Sequence, residues 1–97
     1  MNSDVKSTVA QYPTLSLQVN KGELHRIMRR GTERGSLWIA PRANGYCVCP
    51  TGEVEMLLYN FLCSQFGTET RVNQGKKYWD IENYGDVAKV IQHFGKS

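Results

Sequence analysis

Hydrophobic and polar positions along this 97-residue chain change their period several times, and each change suggests an element. Residues 1–14, MNSDVKSTVAQYPT, are polar without periodicity and pass through Tyr12-Pro13, which suggests a flexible or loosely docked N-terminal arm. LSLQV, residues 15–19, alternates like a short strand. Asn20 has the look of an N-cap, with Glu23 at capping-box spacing, and Leu24, Ile27 and Met28 then recur at i, i+3, i+4. That pattern predicts a helix over 21–31 closed by Gly31. LWIAPRANGYCVCP, residues 37–50, reads as two extended runs around Asn44-Gly45, a strong hairpin signal, with Pro41 at an edge or bulge because it cannot donate to a ladder.

Thr51 is the expected cap of a second helix, in which Val54, Leu57, Leu58, Phe61 and Leu62 follow helical spacing up to Gly67. RVNQGKKYWDI, residues 71–81, predicts a second hairpin turning at Gln74-Gly75. Asn83 then caps a third helix with Val87, Val90, Ile91 and Phe94 as its inner face and Gly95 at its end. The order helix, hairpin, helix, hairpin, helix implies an α+β fold. It would form one domain over 15–97, a four-stranded antiparallel sheet with helices on one face.

Strand alternation divides each hairpin into two sides. Val72, Trp79 and Ile81 share one face of the second hairpin, and Arg71, Asn73, Lys76, Tyr78 and Asp80 the other. In the first hairpin Ile39, Tyr46 and Val48 oppose Trp38, Arg42, Cys47 and Cys49. With helices over the Ile39/Val48/Val72/Trp79 side, the open side presents cations interleaved with aromatic rings, a mixture suited to phosphates and bases.

Charge sharpens that expectation. The net charge is +3, but residues 21–42 carry six basic and two acidic side chains (+4), against six and seven (−1) elsewhere. Arg26, Arg29 and Arg30 fall at i, i+3, i+4 on the predicted first helix, with Arg34 nearby, and form a basic strip. The candidate nucleic-acid contacts are therefore Arg26, Arg29, Arg30, Arg34, Arg42, Arg71, Lys76, Lys77 and Tyr78. They would meet a DNA or RNA backbone, or alternatively an acidic protein surface, with a homodimer as a further arrangement.

Other chemistries have little support. No Gly-rich phosphate loop, nucleophile elbow or paired metal carboxylates is present, so no enzyme and no cofactor is expected. Cys47, Cys49 and Cys63 with His25 or His93 would make four zinc ligands, but the Cys-x-x-Cys knuckle is missing, and reduced, buried thiols are the simpler reading. His93 reads as a residue near a helix C-terminus. No apolar run is long enough to span a membrane and no secretory leader is apparent, which points to a cytoplasmic protein without membrane partners.

Two stretches carry a family resemblance. LLYNFLCSQFGTETRVNQGKKYWDIENYGDVAKVIQHF, residues 57–94, looks like the closing part of one half of a LAGLIDADG homing endonuclease: a helix ending in Phe-Gly, a basic hairpin and a final helix. GTERGSLWIA, residues 31–40, sits where that family's signature helix ends and its first strand begins. The resemblance implies a saddle-like, DNA-gripping sheet. It also implies a metal-binding acid just before the helix-ending glycine; matching that glycine to Gly35 puts Arg34 in the acid's place. Arg29 and Arg30 stand where the family packs small and apolar residues against its other half. The resemblance thus implies DNA binding without cleavage.

Overall fold

The computed structural model describes residues 2–31 and 34–97. Its elements are α1 (Asn2–Ala10), β1 (Leu15–Asn20), β2 (Leu24–Arg29), β3 (Leu37–Arg42), β4 (Gly45–Pro50), α2 (Glu53–Phe66), β5 (Arg71–Asn73), β6 (Lys76–Ile81) and α3 (Tyr84–Lys96). The strands form one six-stranded antiparallel sheet in the order β1-β2-β3-β4-β6-β5. α1 packs on β1 and α3, while α2 and α3 pack on the centre of the sheet, so all three helices lie on one side.

The expected four-stranded sheet is therefore corrected to six strands, because the first predicted helix is half of a hairpin. Lys21–Glu23 is a single 3-10 turn in which Gly22 (φ 70°) and Glu23 (φ 61°) are left-handed, and the Asn20 side chain caps nothing. Left-handed residues reverse the chain instead of propagating a helix. β2 then pairs with β1 from Asn20↔Leu24 to Leu15↔Arg29, which places Leu15, Leu17 and Ile27 on the helix side. The alternating β1 needs a ladder partner, and pairing with the next six residues satisfies both backbones, which outweighs three apolar positions at helical spacing. The observed order is helix, hairpin, hairpin, helix, hairpin, helix.

The N-terminal segment read as an arm carries α1, whose Val5 and Val9 are buried against the rest of the core. Thr8 and Asp4 anchor it: the Tyr84 hydroxyl donates to the Asp4 carbonyl at 2.8 Å and lies 2.7 Å from Thr8 Oγ1. The turn at Gln74-Gly75 is as the sequence suggests, with Asn73↔Lys76 as the last pair, and α3 starts at the Asn83 cap, whose Oδ1 accepts from the Gly85 N–H at 2.7 Å. Gly52, not Thr51, is the cap of α2; the Thr51 hydroxyl instead clasps the start of β3, accepting from the Ser36 N–H at 3.1 Å. Val72, expected in the core, is exposed because β5 is a three-residue strand at the sheet's edge.

The core is built from Leu15, Ile27, Leu37, Ile39, Val48, Trp79 and Ile81 of the sheet, with Val54, Leu58, Leu62, Val87, Val90, Ile91 and Phe94 of α2 and α3 above them. Trp79 is 1% exposed and its indole N–H donates to the Gly67 carbonyl at 2.9 Å, so its one polar atom is satisfied. His25 lies on the same side, 2% exposed, with no hydrogen-bond partner for either ring nitrogen.

Two stability predictions follow from this packing. A Cβ at Gly95, inside α3, would stand 2.7 Å from the Tyr12 ring. Gly95→Ala is therefore expected to destabilise by about 1–3 kcal/mol, reversing the gain of about 1 kcal/mol usual for Gly→Ala in a helix; the urea midpoint measures it. His25→Leu removes two unpartnered buried nitrogens at similar volume and should raise stability by about 1 kcal/mol or more, read as a higher melting temperature.

Candidate nucleic-acid interface

Among the described residues no helix covers the second face of the sheet, and alternation decides what it shows. Register places Arg26 opposite Trp38, Trp38 opposite Cys49, and Arg71 opposite Tyr78. Because Cys47 pairs with Asp80 and Val48 with Trp79, Cys49 comes next to Tyr78. Five strands thus contribute one row, Arg26–Trp38–Cys49–Tyr78–Arg71, running across the sheet.

Each aromatic ring in the row is backed by the arginine outside it. The Arg26 guanidinium lies 5.3 Å from the Trp38 ring centroid, and its Nε donates to Ser36 Oγ at 2.7 Å. Arg71 lies 4.6 Å from the Tyr78 centroid, donates to Cys47 Sγ at 3.2 Å and approaches Asp80 Oδ1 at 3.6 Å. Such cation–π contacts hold each ring upright against its neighbour and contribute about 0.5–1 kcal/mol at half-exposed positions.

Between the rings is a hollow of about 340 Å³. Ala40, Cys47 and Cys49 form its floor, Trp38 and Tyr78 line it on either side, Lys76 and Thr51 stand at one end and Arg42 at the other. A second hollow of about 900 Å³ continues past Arg42 towards Arg71, Asp80 and Glu82. Arg42 is exposed, and its Nη1 donates to the adjacent Pro41 carbonyl at 3.2 Å. On the strands of this face Arg26, Arg42, Arg71 and Lys76 stand against Asp80, a local balance equal to the whole chain's +3.

The thiols are floor, not reagents. Burial pushes the Cys49 thiol up to about 11, helped by Cys47 beside it and opposed by Lys76 and the Tyr78 hydroxyl. Cys47 is raised too, by burial, with Arg71 acting against it. Both remain protonated at neutral pH and present a small, weakly polar surface. Cys63, in α2, is separated from them by the sheet, and His93 stacks on Phe61 at 4.0 Å, so the suggested zinc set does not converge. Among the described residues no three metal-ligating side chains come together.

The structure divides the sequence-derived candidates. Arg26, Arg42, Arg71, Lys76 and Tyr78 share the open face. Arg29 is on the helix side of β2, donating to the Ser97 backbone oxygen at 2.7 Å and lying 5.9 Å from the Phe94 ring. Arg30 borders a hollow with Lys6 and Tyr12 by α1 and β1. Arg34 precedes β3, where its N–H donates to Glu53 Oε1 at 2.9 Å. Lys77 also faces the helices: its Nζ is 3.0 Å from Glu55 Oε2, and that carboxylate raises its pKa. The basic strip does not exist as a helix face, because in a strand Arg26 and Arg29 point to opposite sides. Trp38, Cys47 and Cys49 were legible on this face, whereas Ala40 was not; the signal was the alternation Trp38-Ile39-Ala40.

Compared with known protein families, curated proteins and solved structures, the chain matches none. The geometry of this face therefore carries the functional argument.

The raised thiols give an alkaline signature. An unfolded Cys49 loses its proton near the ordinary 9.0, and the folded one near 11, so between these values the unfolded chain binds fewer protons and stability falls as pH rises. Urea midpoints taken from pH 8 to 11 should fall less steeply for Cys49→Ala than for the unsubstituted protein.

Proposed function

We propose that the open face of the sheet binds nucleic acid without cleaving it, in the cytoplasm, with Arg42 and Lys76 as leading phosphate contacts and Arg26 and Arg71 supporting them. The observation that carries this reading is the convergence of four cations and two aromatic side chains on the one sheet face that no helix covers. Arg42 and Lys76 lead because both are exposed and stand at opposite ends of the central hollow, six strand steps or roughly 20 Å apart along the sheet, so that they meet phosphates more than one nucleotide apart. Arg71 shares its charge with Asp80 and Arg26 is committed to Ser36, so their part is to hold the rings and add to the field.

The absence of an assembled acid–base or nucleophilic group on this face supports binding without chemistry: its carboxylate, Asp80, is beside Arg71, and its thiols are protonated. With Arg26 and Arg29 on opposite sides of β2, there is no continuous arginine strip for an acidic protein surface to dock on.

Two phosphate contacts, from Arg42 and Lys76, predict that affinity for a mixed-sequence oligonucleotide falls by about 7- to 12-fold between 50 and 200 mM salt, measured by fluorescence anisotropy. Arg42→Glu and Lys76→Glu should each weaken binding and flatten the slope of log affinity against log salt by about one unit or more, while Arg30→Glu leaves both unchanged. A protein that shifts no DNA or RNA oligonucleotide at low salt does not have this function.

A further inference from the structure

The hollow in the middle of the face has a shape that phosphate binding does not require. β3 and β6 are two strand steps apart, so the backbones under Trp38 and Tyr78 are separated by about 10 Å, and the strand between them carries only the small side chains Cys47 and Cys49. Large rings on either side of a small floor leave a space about one ring system thick. Its volume, about 340 Å³, is at the small end of the range for ligand pockets. Arg26 and Arg71 occupy the outer flanks of the two rings, so the surfaces left to a ligand are those bordering the hollow.

The floor is buried and only weakly polar, with Ala40, Cys47 and Cys49 all less than a tenth exposed, while cations stand at both ends. A ligand matched to this arrangement is planar and unsaturated in its middle and anionic beyond it. We propose that the hollow between Trp38 and Tyr78 is a seat for one unpaired nucleobase of a strand whose phosphates run between Arg42 and Lys76. The inference rests on the nucleic-acid reading above and narrows it: the face takes single strands, or a base displaced from a duplex, because a paired base presents its edge and not its plane.

The decisive comparison uses the unaltered protein with two fluorescent single strands of equal length and charge, one with bases and one abasic throughout, at 50 mM salt. The base-containing strand is expected to bind at least five-fold more tightly, and a duplex of the same sequence more weakly than the single strand. Equal binding of the intact and abasic strands overturns the base seat and leaves the phosphate-binding face standing. If neither strand binds, the phosphate reading has failed, and adenosine monophosphate decides the seat alone. Saturable quenching of Trp38 fluorescence upholds it, and no quenching overturns it, with Trp38→Phe giving the background from the buried Trp79. Ala40→Leu, which raises the floor, should abolish the preference for the base-containing strand while abasic binding persists. An unchanged preference in a variant whose melting temperature shows it to be folded also overturns the seat.

Discussion

The pairing register of β3 with β4 is the constraint on which the rest of this structure depends. Ile39 opposite Val48 and Leu37 opposite Pro50 put the apolar half of the hairpin under the helices, and the same register puts Trp38, Ala40, Arg42, Cys47 and Cys49 on the other side. Because side chains alternate with period two, a slip of β3 by one residue against β4 would expose Leu37 and Ile39, both fully buried, and drive Arg42 into the core. Each buried aliphatic side chain exposed in this way would cost about 1.5–3 kcal/mol. Core and candidate site are thus two readings of one hydrogen-bond ladder.

That register is closed at both ends. Arg42 pairs with Gly45 across a two-residue loop, and at the far end the Thr51 N–H donates to the Ser36 carbonyl at 2.8 Å while the Glu53 N–H donates to that of Arg34 at 2.7 Å. The second closure lies where α2 begins, so the helix that covers the core also fixes the frame of the hairpin beneath it. Glu53 adds a carboxylate to the Arg34 N–H, and Ser36, in the same segment, holds Arg26 against Trp38. Backbone closure and ring placement share residues.

What the sequence revealed depended on whether local and long-range signals agreed. At Gln74-Gly75, at the Asn83 cap and along α2, turn chemistry and periodicity indicate the element that tertiary packing also requires. Residues 24–28 carry apolar side chains at helical spacing but also alternate His25 and Ile27 with Arg26, and only the presence of β1 decides between the patterns. α1 was obscured for a related reason: Val5 and Val9 are two anchors on an otherwise polar helix, and their burial depends on Tyr84 and α3, nearly eighty residues away. The candidate surface was legible wherever a hairpin was, Lys77 included, since it shares the side of Trp79, and illegible for Arg29, Arg30 and Arg34, whose side or neighbours follow from elements that the local pattern misassigned or left unplaced.

The row across the open face is alike at its two ends in chemistry and unlike in support. Arg26 sits on β2, flanked by strands on both sides and tied to Ser36, whereas Arg71 sits on the three-residue β5, which pairs only with β6. Edge strands open at lower free energy than central ones. One end of the row is a fixed jaw, and the other can shift its distance without disturbing the core. Trp38 and Tyr78 themselves stand on the internal strands β3 and β6, so the spacing between the rings stays fixed, and a chain laid across this face would meet two rigid rings and one compliant arginine behind Tyr78.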